Sequence, residues 1–148
     1  MRAFPIAKDA TDAELALATA FELGAQSVVV VGAFGGRRLD HALATISILA
    51  HPAWHDREVV LTDPRRSVTL VTAGREWTGA PGDLITLLPV EGDATGVSTQ
   101  GLRYTPRDGR LPFGTSLGVS NEMTGRRASV SLRDGALLLV HERGDSGG

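Results

Sequence analysis

Near its start the chain reads Ser27-Val28-Val29-Val30-Val31-Gly32-Ala33-Phe34-Gly35-Gly36. Four consecutive valines are typical of a buried strand, and they predict a strand at the centre of a sheet, covered on both faces. The glycines that follow let the backbone turn tightly or approach a ligand closely. In open parallel sheets, ligands bind beyond the carboxyl ends of the strands, where this turn falls.

A predicted helix follows the glycine turn. Its apolar residues recur at three- and four-residue steps, so one face is expected to pack on the sheet while Asp40 and His41 stay at the mouth of the turn. These apolar residues are Leu39, Ala42, Leu43, Ile46, Leu49 and Ala50.

A second segment of similar character opens the first predicted helix and reads Lys8-Asp9-Ala10-Thr11-Asp12-Ala13-Glu14. Thr11 and Glu14 have capping-box spacing, so a plain helix start explains most of the segment. Asp9 gains nothing from capping, but with Asp12 it forms a pair of carboxylates of the kind that binds magnesium. Helix starts also receive anionic oxygens. The two segments together predict metal-assisted phosphoryl chemistry; the alternative is two ordinary solvated turns.

The pattern of predicted elements changes about halfway along the chain. Residues 11–70 alternate helix and strand, which is typical of a mostly parallel sheet covered by helices. After Gly74, short β-rich runs separated by glycine and proline indicate an antiparallel sandwich or barrel. We therefore predict an α/β protein with an N-terminal partial parallel, three-layer α/β lobe (residues 1–73) and a C-terminal antiparallel β-sandwich or barrel lobe (residues 74–148).

Composition narrows the function classes. The net charge of −2 leaves no basic surplus for binding nucleic acid. The absence of cysteine excludes disulfides and thiolate catalysis and fits a reducing compartment. Since no apolar run approaches the ~20 residues of a membrane span, the sequence predicts a soluble cytoplasmic protein with no membrane partner. The four histidines lack zinc-ligand spacing, and no Walker-type glycine loop is present.

Five segments, in order, resemble the thiamine pyrophosphokinase (thiamine diphosphokinase) family, which moves a pyrophosphoryl group from ATP to thiamine and releases AMP. They are residues 8–12, 35–44, 84–89, 101–104 and 118–122. The resemblance implies that Asp9 and Asp12, on the family's Lys-Asp-x-Thr-Asp pattern, are catalytic and hold Mg²⁺. It also implies a set of residues that bind the ATP phosphates, namely Lys8, Thr11, Gly35, Gly36 and Arg38.

The same resemblance implies a thiamine site. Asp40 falls on the family's Gly-Gly-Arg-x-Asp-His segment, where the aspartate is catalytic and lies between nucleotide and thiamine. The thiamine-binding residues it implies are Asp40, His41, Ser120 and Asn121. In the family this pocket forms across the interface of a homodimer, which gives the expected assembly.

Two departures from the family pattern define the remaining expectations. Thr45 stands where the family has asparagine. Family members also begin with a segment that carries Gly-Asp-x-Asp-Ser, and this segment would precede Met1. We therefore expect an N-terminally truncated chain. It is a fragment or shortened gene product, or it starts at an internal methionine, or another subunit supplies the segment. The alternative functions are a non-catalytic thiamine- or nucleotide-binding module of the same family and a plain interaction domain.

Overall fold

The computed structural model describes residues 12–32, 34 and 38–144. Within them the helices are α1 (Asp12–Glu22) and α2 (Leu39–Ser47), with short 3₁₀ helices at Ile48–Ala50, Pro52–Trp54 and Arg107–Gly109. None of these helices is both long and apolar enough to span a bilayer. The strands are β1 (Ser27–Val31), β2 (Glu58–Thr62), β3 (Arg66–Val71), β4 (Gly74–Thr78), β5 (Leu84–Pro89), β6 (Ala94–Thr95), β7 (Ser98–Gln100), β8 (Arg110–Leu111), β9 (Asn121–Glu122), β10 (Arg127–Ser131) and β11 (Leu137–Glu142).

Six strands form the main sheet, in the order β1-β2-β3-β11-β5-β9. β1 and β2 are parallel, while every other pairing in this sheet is antiparallel. A three-stranded antiparallel sheet, β4-β10-β7, and the pair β6-β8 complete the strands of the described residues. The predicted α/β class with an antiparallel C-terminal region is thus confirmed. The main sheet takes strands from both sides of residue 73, and the lobe boundary stays a proposal.

The main sheet separates two hydrophobic cores. Along β11, Leu137 and Leu139 face the three-stranded sheet, whereas Leu138 and Val140 pack against the core on the helix side. This alternation gives each face of one strand its own core. The sandwich core comprises Val71, Ile85, Leu87, Ala94, Val97, Leu102, Leu111, Met123, Ala128, Val130, Leu132, Leu137 and Leu139. The helix-side core comprises Leu17, Ile48, Leu49, Trp54, Val59, Leu61 and Val68.

Among the described strands, the valine strand does not take the predicted central position. β1 is the first strand in the order of the main sheet, and Val29 and Val31 are 61% and 79% exposed. Only Val28 and Val30 pack against the helix-side core. A short run of β-branched residues favours a strand but does not reveal how many of its faces are covered. In the described residues, the covering elements lie on one face only.

The amphipathic face predicted for α2 also packs less than expected. Leu39 and Leu43 are 72% and 54% exposed, and no residue of α2 is buried. Near the end of the helix, Ile46 packs against the helix-side core, and Ile48 and Leu49 are buried in the following 3₁₀ turn. The start of α2 therefore presents its side chains to solvent.

A buried aspartate–histidine pair closes one end of the sandwich. The Asp83 carboxylate contacts His141 Nε2 at 2.8 Å and accepts hydrogen bonds from the backbone N–H groups of Ala80 and Gly144, each at 3.0 Å. Burial raises the pKa of Asp83, but the hydrogen bonds from His141, Gly144 and Ala80 outweigh it and lower the pKa below its ordinary value. The pair ties β11 to the turn that precedes β5.

Asp83→Asn is expected to reduce the free energy of unfolding at neutral pH by about 1.5–3 kcal/mol, because it removes a charged acceptor from a buried network. Since folding lowers the pKa of Asp83, its contribution is complete above the ordinary value of 3.8 and is lost as pH falls through the folded value. The difference in the free energy of unfolding between wild type and variant, measured by urea unfolding, should therefore become smaller below that pH. Exposed Asp56→Asn is the control; an equal difference at neutral and acid pH would contradict this role.

Candidate active site

The turn before α2 carries an arginine–aspartate ion pair. Arg38 is extended (φ −93°, ψ 122°) and stands at the N-cap of α2. Its Nε and Nη2 donate to the two carboxylate oxygens of Asp40 at 3.1 and 2.7 Å, which is a bidentate arrangement. The backbone N–H of His41 donates to Asp40 Oδ1 at 2.9 Å. Both side chains of the pair are exposed, so the pair is accessible to a ligand.

These contacts fix the charge state of Asp40. The hydrogen bond from Arg38 is the main cause that lowers the pKa of Asp40, and the backbone N–H of His41 lowers it further. Asp40 is therefore a carboxylate at neutral pH, and it accepts hydrogen bonds. Asp40 occupies the Nε edge of the guanidinium, which leaves the Nη1 edge of Arg38 for an anionic oxygen.

The carboxyl ends of the parallel strands β1 and β2 lie together, as the sequence predicts. The backbone N–H of Gly32 donates to the Thr62 carbonyl at 2.9 Å. The Arg66 guanidinium lies over the Phe34 ring, 5.4 Å from its centroid. Asp63 organises the next turn by accepting the N–H groups of Arg65 and Arg66 at 2.8 and 2.7 Å.

Sequence reasoning missed the residues of this second turn. Burial raises the pKa of Asp63, but the backbone and guanidinium donors outweigh it and lower the pKa. An Asp-Pro pair at the end of a strand was the available signal, because aspartate commonly accepts backbone N–H groups in turns.

Ser120 and Asn121 lie in a tight turn of the second lobe. Ser120 has a positive φ of 59°, and its N–H donates to Thr86 Oγ1 at 3.1 Å. Asn121 holds the backbone of Tyr104 by accepting its N–H at 3.0 Å and donating Nδ2 to its carbonyl at 2.7 Å. Asn121 Oδ1 also accepts the Glu122 N–H at 2.9 Å. Because Nδ2 carries two N–H groups and one of them donates to Tyr104, the other is left for a ligand.

A groove of about 560 Å³ opens beside Asn121. Its walls are largely apolar and carry a few polar groups, which is typical of small-molecule sites. Residues that line it include Leu87, Tyr104, Pro106, Arg107, Leu117 and Asn121. Arg107 belongs to the 3₁₀ helix Arg107–Gly109, and no sequence signal indicated that this helix forms a wall of the groove.

The two clusters lie at opposite sides of the main sheet. Arg38 and Asp40 follow β1, which is one edge strand, and Asn121 belongs to β9, which is the other. With adjacent strands about 4.8 Å apart, the five spacings between these edges amount to roughly 24 Å. One described chain therefore does not bring Asp40 and Asn121 into a single pocket.

The other predicted site residues divide into two groups. Asp12 opens α1 and is exposed; among the described residues it makes no hydrogen bond or ion pair, and no contact joins it to the Arg38–Asp40 pair. No three His, Asp or Glu side chains gather as a metal site within the described ranges. Several predicted residues lie outside those ranges, namely Lys8, Asp9, Thr11, Gly35 and Gly36.

Comparison with known proteins gives a consistent result across the chain. Residues 1–61 match the family model "Thiamin pyrophosphokinase, catalytic domain", and residues 72–137 match "Thiamin pyrophosphokinase, vitamin B1 binding domain". The chain therefore falls in a class of two-domain kinases. It belongs to the thiamine pyrophosphokinase family.

Relatives of known name agree. The chain is 26% identical over 135 residues to thiamine pyrophosphokinase of Bacillus subtilis, covering 90% of the chain and 63% of the relative. It is 30% identical over 118 residues to thiamin pyrophosphokinase 1 of Caenorhabditis elegans, covering 77% and 47%. The crystal structure of thiamin pyrophosphokinase from Geobacillus thermodenitrificans superposes with a TM-score of 0.82 at 25% identity, covering 97% of this chain and 66% of that one. The chain thus spans less than two thirds of the length of these curated relatives.

Arg38→Gln is expected to raise the pKa of Asp40 toward its ordinary value, because it removes the main cause of the lowering. The rise should be incomplete, since the His41 N–H still donates to Asp40. Titration of the Asp40 carboxyl carbon by NMR measures the effect. Arg107→Gln, which lies in the groove at the other side of the sheet, is the control; an unchanged Asp40 pKa in Arg38→Gln would contradict the assigned pair.

Proposed function

We propose that the protein transfers pyrophosphate from ATP to thiamine and gives thiamine diphosphate and AMP. The exposed Arg38–Asp40 pair carries this proposal, because it stands at the start of the helix that follows parallel strand β1, on a segment that resembles the family's phosphate-binding turn. Family membership supplies the substrate class, since relatives named thiamine pyrophosphokinase match nearly the whole chain.

The chemistry assigns different tasks to the two members of the pair. The thiamine hydroxyl oxygen attacks the β-phosphorus of ATP, the bond from that phosphorus to the AMP oxygen breaks, and AMP leaves with the electron pair of that bond. The hydroxyl proton passes to water as the new P–O bond forms. A carboxylate with a lowered pKa is a weak base, so Asp40 orients the attacking hydroxyl by accepting its hydrogen bond and does not take its proton before attack. The free edge of the Arg38 guanidinium binds a phosphate oxygen and stabilises its negative charge.

Mg²⁺ is the proposed cofactor, and Asp12 together with Asp9 would hold it. Asp12 suits this role, because its exposed carboxylate is engaged by no described partner and Mg²⁺ needs only one or two carboxylates besides water and substrate phosphates. When bound, the ion would neutralise charge on the ATP phosphates. Lys8, Thr11 and the backbone of Gly35 and Gly36 are proposed to bind the same phosphates.

Supplying the purified chain with Mg-ATP and thiamine tests the activity through formation of AMP and thiamine diphosphate. Asp12→Asn should reduce the rate about a hundredfold or more, because a preorganised charge contact to the phosphates is lost. Its fold should persist, since Asp12 is exposed and makes no described contact, and exposed Asp56→Asn should react like wild type.

Three outcomes of this assay would contradict part of the proposal. Wild-type turnover in Asp12→Asn removes Asp12 from the site. Thiamine binding by calorimetry without AMP formation assigns the chain to the binding-module alternative. No heat with either substrate assigns it to the interaction-domain alternative.

We further propose a homodimer in which each thiamine site combines Asp40 and His41 of one copy with Ser120 and Asn121 of the other. The roughly 24 Å between the two edges of the main sheet supports this arrangement, because one chain keeps the two halves apart. Large apolar side chains are also exposed around the Asn121 groove, and such surfaces commonly mark interfaces. They are Tyr104, Phe113, Leu117 and Val119, exposed by 60%, 58%, 72% and 45%.

Mixing two inactive variants tests the shared site. Asp40→Asn and Asn121→Ala should each be nearly inactive alone. After unfolding and refolding together, about half of random dimers are mixed, and each mixed dimer regains one intact site, so roughly a quarter of wild-type activity should return. Activity no higher than the sum of the separate variants would show that each site lies within one copy.

The proposed partners are ATP and thiamine, without nucleic acid or membrane. The cytoplasm is the proposed location, in keeping with the absence of cysteine.

A further inference from the structure

A polar cavity of about 320 Å³ is lined by residues of both the main sheet and the three-stranded sheet. Ser67 of β3 and His141 of β11 line it from the main sheet, and Arg75 and Trp77 of β4 line it from the three-stranded sheet. Two more arginines, Arg66 and Arg143, also line its wall. Arg66 also packs on Phe34 beside the candidate active site, whereas the other residues named here lie outside that site.

Three arginines line this cavity, and they differ in how far their guanidinium groups are engaged. Arg143 makes no side-chain hydrogen bond or ion pair with the described residues, although its backbone N–H is bonded to the Arg65 carbonyl at 2.8 Å. Arg75 uses Nη1 on Glu58 Oε1 at 3.0 Å, which leaves its remaining N–H groups available. Asp63 neutralises Arg66 and Glu58 neutralises Arg75, so Arg143 is the guanidinium of this cavity that no described carboxylate pairs. Glu76 also lines the cavity, but it alternates with Arg75 and Trp77 along β4 and is exposed.

Trp77 and His141 also line this cavity. The Trp77 indole Nε1 is buried and has no hydrogen-bond acceptor in the described structure. A buried donor without a partner is costly and is normally satisfied by a protein group, water or a ligand. His141 is bound through Nε2 to Asp83, and its Nδ1 makes no described bond.

We propose that this cavity is a binding site for a compact phosphate-type anion, held by Arg143 and the free edge of Arg75 with the Trp77 indole N–H beside it. Guanidinium groups match the geometry of phosphate oxygens, and a cavity of this size admits a phosphate group with room for water. The bound group is either free phosphate or the phosphate of a nucleotide. The site does not depend on the proposed transfer reaction.

The two tryptophans provide an internal test of location. In a ¹⁵N-labelled chain the Trp77 indole N–H signal should shift saturably when the anion is added. The Trp54 signal should stay in place, because its indole N–H donates to the buried Ile48 carbonyl at 2.8 Å. Trp77→Phe assigns the two signals. Separate titrations with inorganic phosphate and with AMP distinguish the two sources, and either one that moves the Trp77 signal supports the site.

Affinity measurements on variants complete the test. Arg143→Gln and Arg75→Gln should each weaken binding of the anion that moves the Trp77 signal by at least about tenfold. This is the loss expected for one charged hydrogen-bond contact. Arg126→Gln is the matched control, because Arg126 is exposed, outside the cavity and without a described ion pair. A Trp77 signal that moves with neither anion, or an Arg143→Gln affinity equal to that of Arg126→Gln, would overturn the proposal.

Discussion

The pairing of β11 with β3 and β5 is the constraint on which the rest of the structure depends. β11 enters between two strands that come much earlier in the chain, with registers such as Leu139 opposite Thr69 and Leu87. Its side chains alternate between the two hydrophobic cores, so one strand stabilises both. A shift of one residue would exchange the two sets of side chains, which makes this register strongly specified.

That sheet also determines where the chemistry can occur. By joining β1 at one edge to β9 at the other, it holds the Arg38–Asp40 pair and the Asn121 turn apart within one chain. The same geometry explains why apolar side chains around the Asn121 groove are exposed in an isolated copy. An active site that needs both clusters therefore has an assembly requirement built into the fold.

Local sequence signals predicted the elements and the charged turn, because both depend on neighbouring residues. Arg38 and Asp40 are two positions apart, and their ion pair follows from that spacing at a helix start. Local signals could not predict the groove, because it depends on contacts between residues far apart in the sequence. Asn121, for example, holds the backbone of Tyr104, which is seventeen positions away. For the valine strand, the composition predicted burial on both faces. Its position in the described sheet depends on which strands pair, and composition does not encode that pairing.

The shared site is the central claim, and electron spin resonance between copies tests it most directly. The chain has no cysteine, so Ala44→Cys near Asp40 and Thr124→Cys near Asn121 can carry spectroscopically distinct spin labels on separate copies. The account predicts a distance between labels on different copies that is shorter than the distance within a doubly labelled chain diluted in unlabelled protein. No coupling between copies, or a distance longer than the one within a chain, would contradict it.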